Sequence, residues 1–512
     1  MASRTKQAGL GFITDLGGNA LLIVVSFIAA PIILRLTSES LYGFWITTLS
    51  IIGYLALTDL GLGISLTRLV AGLTGSQDAP TLSRLVSTAF FSFCAAGLIF
   101  LAVGISFAPF IAVWFKIPPT EAAQVIPAYL VAVLSGAIAL PLSIFGAIVT
   151  GFQRLAVYNI ACNTVALLAV GISVGLLFAG VGVAALALAS LFAVLAGSLI
   201  NYFYARHLVP QLKIKLMLVN RTDLRRLLTF GGYFQLGRIA NTISLGAANI
   251  VISVARGAAM VTPYTFTSKL PLLFSVNIAS KLPIAVFPAL SQMFAKKETW
   301  KIQQIFIQLA RYSTRLAIMA GVLVAVANQQ FDSLWVGAEY FGGHALNAVF
   351  VYWTLQDTIY RGIGVIVYAS GELRSWMIAS IIEAAITLFL LIMLVGPLGL
   401  VGVALGLSVG KTLTTAWYLP YWICAKLNLS VGQFLWKGVL SAGLRCLPGA
   451  GFVVLCAIIL PTNMGWAWII LVGFVGVLAN ALSFEGIELA KPSDLPWRER
   501  VHRLLTISAK EA

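Results

Sequence analysis

The chain has 512 residues, 60% of them hydrophobic and only 10% charged, with 33 Lys and Arg against 17 Asp and Glu. A soluble domain carries charge on about a quarter of its residues, so this composition excludes an ordinary water-soluble globular protein. The formal net charge of +16 does not signal nucleic-acid binding, because the basic residues collect in short segments between apolar runs, the pattern of cytoplasmic loops.

The first apolar run, from about Leu10 to Leu34, is long enough to span a bilayer and reads as a retained helix rather than a cleaved signal peptide. Allowing about 20 apolar residues per helix gives about 14 spans. They begin near Leu10, Gly43, Leu85, Ala123, Val157, Gly182, Thr229, Thr265, Ile305, Ala345, Trp376, Gly399, Trp436 and Gly465. The expected fold is all-α, a polytopic membrane protein. Connections are short; the longest is "ARHLVPQLKIKLMLVNRTDLRR", residues 205–226. Alternate connections differ sharply in Lys and Arg. One set holds nearly all of them, from Arg4 and Lys6 to the tail after Lys491, and the other only Arg35, Lys116 and Arg256. The positive-inside rule then puts both termini in the cytoplasm. The tail "SDLPWRERVHRLL" (493–505) groups Trp497, Val501, Leu504 and Leu505 on one helical face, as in an interfacial amphipathic helix.

Two distant stretches align without a gap at an offset of 220 residues, "GFQRLAVYN" from Gly151 and "GELRSWMIA" from Gly371. At the same offset Arg154 meets Arg374, "VGVA" recurs at 181–184 and 401–404, and "LG" at 16–17 meets "LG" at 236–237. Six spans fit within the offset, an even number, so both halves enter from the same side and form a parallel repeat around a central cavity. The expected organisation is a six-helix lobe over 1–210, a second over 211–428, two further helices over 429–490, and a cytoplasmic amphipathic tail over 491–512.

A charge at the bilayer centre costs roughly 2.5–3.5 kcal/mol on insertion scales. The spans nevertheless contain Arg238, Lys269, Lys281, Arg315, Arg361, Lys411 and Arg445, with Asp15, Asp59, Asp357 and Glu383. Arg315 and Arg445 lie near inner ends and can snorkel. Asp357 and Arg361 share a helix face, where an internal ion pair and a substrate contact are equally open. Glu383 and Lys411 are placed to pair across consecutive helices. Asp59 reads as a cap or gate, and Asp15 with Asn19 as a packing hydrogen bond or a coupling-cation site. The eighth span carries "SKLP" twice, at 268–271 and 280–283, which sets Lys269 and Lys281 about 18 Å apart along an ideal helix. All seven basic residues lie in the second half or beyond. Their positive field favours an anionic substrate such as a phosphate or pyrophosphate group, with Arg35 and Arg256 at the outer ends placed to receive or release it. The five cysteines and three histidines suggest neither a disulfide framework nor a metal site. No GxxxxGK[ST] loop occurs, and no cofactor is expected.

The paired lobes, the "GFQRLAVYN" loop, the "GVGVAAL" turn, "TDLGLGISLTRLVA" (58–71) and "LWVGAEY" (334–340) together resemble Wzx-type polysaccharide-repeat-unit flippases of the multidrug/oligosaccharidyl-lipid/polysaccharide superfamily. The resemblance implies a non-enzymatic carrier in the bacterial inner membrane. Its cargo would be an undecaprenyl-pyrophosphate-linked oligosaccharide, moved from inner to outer leaflet for O-antigen, capsule or exopolysaccharide assembly. It also implies membrane lipid as a partner, proton or sodium coupling through Asp15, Asp59, Asp357 or Glu383, and contact with a polysaccharide polymerase or chain-length regulator. The lumenal cations would be Arg238, Lys269, Lys281, Arg361 and Lys411. Arg35 matches one of the arginines on which the related lipid II flippases depend, while lysines stand where further arginines are expected, offering a point charge in place of a bidentate fork. A cation-coupled multidrug extruder of the same superfamily is the chief alternative. A membrane polymerase, a glycosyltransferase or a non-transporting scaffold fits less well, because outer connections are short, cytoplasmic acids are scattered, and a scaffold gains nothing from buried charge.

Overall fold

The computed structural model describes residues 2–55, 62–73, 78–461 and 464–488. The described residues form helices and turns, with no strand among them. The N-terminal helices are α1 (Ala2–Leu36), α2 (Glu39–Leu55), α3 (Leu62–Leu73), α4 (Ala79–Trp114), α5 (Ala122–Gly151), α6 (Leu155–Phe178) and α7 (Ala184–Leu208). A second series follows with α8 (Arg221–Arg256), α9 (Val261–Thr267), α10 (Lys269–Leu272), α11 (Lys281–Ala295), α12 (Thr299–Trp335), α13 (His344–Ser370), α14 (Leu373–Leu413) and α15 (Thr415–Lys426). The chain ends in α16 (Val431–Phe434), α17 (Ser441–Ile459) and α18 (Trp466–Glu488). Among the described residues, eight segments are long and apolar enough to cross a membrane. The remaining expected spans fall on helices that are shorter, broken or more polar.

The two matched stretches occupy corresponding turns. "GFQRLAVYN" joins α5 to α6 and "GELRSWMIA" joins α13 to α14. Packing repeats in the same order: α1 lies along α6 and α4 along α5, while α8 lies along α14 and α12 along α13. Buried aromatic and branched residues fill each series, around Phe44, Tyr129 and Val133 at one end of the first and around Phe306, Ile366 and Phe434 in the second, and a further cluster of Leu34, Tyr42, Phe266 and Trp335 joins the two.

The continuous apolar segment Leu373–Lys426 would be far too long for one crossing at 1.5 Å per residue. It turns back at Gly399, whose φ of +58° and ψ of −134° suit only a residue without a side chain. Pro397 just before it cannot donate a helical hydrogen bond. The two rods of α14 then close on a stripe of small residues, Gly402, Gly406 and Gly410. A Cβ added to Gly402 would meet the Leu394 carbonyl oxygen at 2.1 Å, and one added to Gly406 the Leu391 backbone at 3.0 Å. Between helices in lipid, such close approach supplies the van der Waals contact that hydrophobic burial cannot.

The eighth expected span is not one helix. Each "SKLP" starts a new helical piece, Ser268 preceding α10 and Ser280 preceding α11. Between them residues Leu273–Ile278 widen into a π-helical turn. The ideal-helix spacing expected for Lys269 and Lys281 therefore does not apply. Both prolines sit in a first turn, where a missing N–H is tolerated.

Replacement of Gly402 by Leu is expected to destabilise the protein by on the order of 1–3 kcal/mol or more through overpacking. Gly396→Ala, with open space at its Cβ, should leave the thermal melt of the detergent-purified protein unchanged.

Candidate functional site: intramembrane charges and a basic pocket

Asp357 of α13 is fully buried and stands at the centre of the second series. Arg361, one turn along the same helix, donates from Nε to its Oδ2 at 2.6 Å. Lys411, from the second rod of α14, donates to Oδ1, and Ser275 Oγ of the widened turn donates to Oδ2 at 2.9 Å. The Lys411 ammonium also lies 4.5 Å from the centre of the Tyr360 ring, whose hydroxyl accepts from Trp376 Nε1 at 3.2 Å. One carboxylate thus holds two cations, leaving a net charge of about +1 inside the helices.

The expected Glu383–Lys411 pair does not form. Lys411 turns to Asp357, while Glu383, also buried, accepts from the Thr415 hydroxyl. The reason is geometric: Gly399 folds both residues into one hairpin, and each side chain leaves it toward a different neighbour.

Lys281 at the start of α11 reaches back to the first helix of the chain. Its Nζ is 3.5 Å from Asp15 Oδ2, with side-chain exposures of 35% and 48%. Asp15 is steadied by Asn19 Nδ2, which donates to Oδ1 at 3.0 Å. This pair bridges the two helical series and is loose enough to exchange. Lys269, partly buried at the start of α10, makes no ion pair among the described residues.

The other expected site residues are placed as follows. Arg238 lies within α8, with its side chain outside the described residues. Asp59 and the 491–512 tail also lie outside them. Arg35 is exposed in the last turn of α1. Arg256 is spent on the α14 turn, donating to the Val395 oxygen at 3.1 Å and to the Gly396 oxygen. Arg315, expected to snorkel, is instead buried at 8% exposure beside Cys446 in a narrow apolar cleft between α12, α17 and α18; Arg445 is exposed.

The end of the bundle away from the basic connections is tightly closed. Lys116 Nζ donates to the Ala255 oxygen at 2.6 Å, Thr262 Oγ1 to the Glu39 oxygen at 2.6 Å, and Trp335 Nε1 to the Phe27 oxygen at 2.6 Å. Tyr42 stacks on Phe266. Each contact joins the first series to the second.

The basic end holds a pocket of about 860 Å³ lined by Arg68 of α3, Thr81 of α4, and Thr222, Arg225 and Arg226 of α8. Sequence reasoning placed these arginines in loops and missed the pocket. A signal was present: Asn220 caps α8 by accepting from Thr222 N–H at 2.9 Å, so Arg225 and Arg226 stand near a helix N-terminus, where the dipole disfavours cations. Asp332 was also missed. It is fully buried in the last turn of α12, and neither carboxylate oxygen has a hydrogen-bond partner.

With this geometry established, the comparisons with known proteins are decisive for the family. Residues 12–294, more than half of the chain, match the polysaccharide biosynthesis protein family, and the chain belongs to it. No curated protein matches the sequence. Among solved structures the fold is similar to the lipid II flippase MurJ in an inward closed conformation, with 13% identity, a TM-score of 0.69, and 93% of this chain and 99% of that one covered. It is also similar to an inward-facing multidrug resistance MATE family transporter of the MOP superfamily, with 16% identity, a TM-score of 0.59, and 83% and 98% coverage. An outward-facing MATE structure matches with 17% identity, a TM-score of 0.51, and 83% and 96% coverage. The fold is therefore one that this chain shares with a lipid II flippase and with MATE family transporters.

Asp357→Ala leaves the buried Lys411 and the partly buried Arg361 without their carboxylate. The expected loss is about 3–5 kcal/mol, read as a lower melting temperature and reduced monodisperse yield. Ser275→Ala, which removes one hydrogen bond to the same carboxylate, should cost about 1 kcal/mol.

Proposed function

We propose that this protein carries a polyprenyl-pyrophosphate-linked oligosaccharide across the cytoplasmic membrane by alternating access of two lobes, 1–210 and 211–428, with the helices of 429–490 appended. The observation that carries the reading is the half-exposed Lys281–Asp15 contact between the lobes. At 3.5 Å it is long for a charge-assisted bond, and a pyrophosphate with its several anionic oxygens is a stronger partner for the ammonium than one carboxylate. Arrival of the headgroup then releases Lys281 from Asp15 and loosens the two lobes.

The basic pocket supports the same cargo, since Arg68, Arg225 and Arg226 offer guanidinium forks suited to phosphate oxygens. If the basic end is cytoplasmic, as the positive-inside rule requires, the pocket lies on the side where lipid-linked units are made. Both termini are then cytoplasmic. Lys269, with no ion pair among the described residues, offers a second ammonium beyond the break in the helix. The lipid chain remains in the bilayer, and the exported unit serves surface-polysaccharide assembly together with a polymerase or chain-length regulator.

The multidrug-extruder alternative needs acids open to a lipophilic cation. Asp357 is already shared by two cations and Glu383 accepts from Thr415, which disfavours it.

The test is binding by the purified protein of a polyprenyl-pyrophosphate oligosaccharide and of a lipophilic cation dye. Lys281→Ala and Lys269→Ala should each weaken the lipid pyrophosphate by about 10-fold or more, the range of one charge-assisted hydrogen bond. Binding of the dye alone, unchanged or improved by Lys281→Ala, would establish the extruder instead.

A further inference from the structure

The last turn of α12 contains buried oxygens that are short of donors. Asp332 is 0% exposed, and both its carboxylate oxygens lack a hydrogen-bond partner. Asn328, one turn earlier on the same face, is also 0% exposed, and its Oδ1 is likewise unpartnered. The orientation of that amide is set by its nitrogen, which donates to the Thr267 carbonyl oxygen at 2.9 Å and to Asn347 Oδ1 at 2.8 Å. The oxygen therefore faces away from both. Asn347 is held in turn, donating to the Val324 oxygen at 3.1 Å. Thr267 Oγ1, which accepts from Gly342 N–H at 2.8 Å, lies beside the carboxylate.

A buried carboxylate with no partner cannot remain as a bare anion, because its desolvation is not offset. Buried acceptor oxygens this short of donors, on successive turns of one helix face, call for a positive species. The titratable groups on the neighbouring elements at this end are Tyr264 of α9, Lys269 of α10, Glu339 and Tyr340 of the 338–340 turn, and His344 at the start of α13. Among the described residues none forms an ion pair with Asp332. His344 instead packs edge-on against Phe341.

The same turn carries the contact between the two helical series. Trp335, three residues after Asp332, donates its indole N–H to the Phe27 oxygen of α1 and packs against Phe27 and Phe266. The Asp332 carbonyl oxygen ends the helix by accepting from Val336 and Gly337 N–H at 2.9 and 3.1 Å. A change at the carboxylate thus acts on the turn that bears the interlobe tryptophan. Helix C-terminal ends serve as Na⁺ and H⁺ sites in other secondary transporters.

We propose that Asp332, with Asn328 and Thr267, binds one monovalent cation, a proton or a sodium ion, and that its occupancy holds this end of the two lobes closed. In the protonated form the proton resides on a carboxylate oxygen and is donated to an acceptor such as Asn328 Oδ1. In the sodium form the ion is shared among the same oxygens. Loss of the cation leaves a charge that must reach water, which opens the turn and withdraws Trp335 from α1. The inference goes beyond the cargo assigned above and rests on that reading only in needing lobes that move.

Two readouts on the purified full-length protein separate the parts. The first is infrared difference spectroscopy between low and high pH, with sodium or with choline as the salt cation. The wild type should show a carboxylic-acid carbonyl band that Asp332→Asn lacks, or a sodium-dependent carboxylate shift that Asp332→Asn lacks; the first identifies the proton and the second sodium. The second readout is the distance between spin labels in the 36–39 turn and the 336–343 loop. It should lengthen by several ångström in the wild type when the cation is withdrawn and stay short in Asp332→Asn, whose neutral amide mimics the occupied site. Infrared spectra identical in wild type and variant under every condition would mean that water satisfies these oxygens and would overturn the site. A distance that ignores pH and sodium in the wild type would overturn the coupling, whether or not the variant folds. Lobes that move with the lipid pyrophosphate but not with the cation would leave the cargo reading standing and sink this one.

Discussion

Every charge that the chain carries into the apolar zone has to be met by another protein group or by water in a cavity, because hydrocarbon supplies neither a counter-ion nor a hydrogen bond. The arrangement of the second helical series follows from that constraint. Asp357 is fully buried and is surrounded by Arg361, Lys411 and Ser275. These groups come from α13, from the returning rod of α14 and from the widened turn before α11. A single carboxylate thereby ties three elements together at the level where packing in lipid provides little specificity. Lys281 illustrates the other solution, a half-exposed contact with Asp15 on a distant helix.

The irregularities of the backbone serve these pairings. Between α10 and α11 the wide turn of Leu273–Ile278 brings Ser275 onto Asp357. The helix restarts at Ser280 with Lys281 in its first turn, so the ammonium projects from a break rather than from the side of a continuous rod. Such breaks are tolerated at membrane depth only where protein or water surrounds them. In α14 the turn at Gly399 sends the chain back along itself, the small residues of the returning rod pack it against the first, and Lys411 at its end reaches Asp357 of α13. The repeated "SKLP" is thus a local signal for restarting a helix as well as a source of charge.

Two different kinds of charge emerge. Asp357, Arg361 and Lys411 bind one another and hold the second series together. Lys281 is half-exposed beside Asp15, and Arg68, Arg225 and Arg226 line the basic pocket. For Asp357 and Arg361 the sequence left an internal ion pair and a substrate contact equally open, because charge counted along a chain does not say which side chain a cation meets; in the fold the two are paired. Asp332 escaped notice for a related reason. Its neighbours Gln330 and Ser333 make the end of α12 look like a polar loop, and only the packing of α9 and α13 over it removes the water.

Composition, the spacing of apolar runs, the asymmetry of Lys and Arg and the repeat at a fixed offset were enough to establish a helical membrane protein and to single out Lys269, Lys281, Asp15 and Asp357 as charges that the apolar spans must accommodate. Those features are local or periodic, and they survive without any knowledge of which helix touches which. The partner of each charge was decided only by the tertiary structure. Lys411 lies 54 residues from Asp357 and Lys281 lies 266 from Asp15, so their meeting depends on helix breaks and on the way the helices pack, and no periodicity along the chain records that.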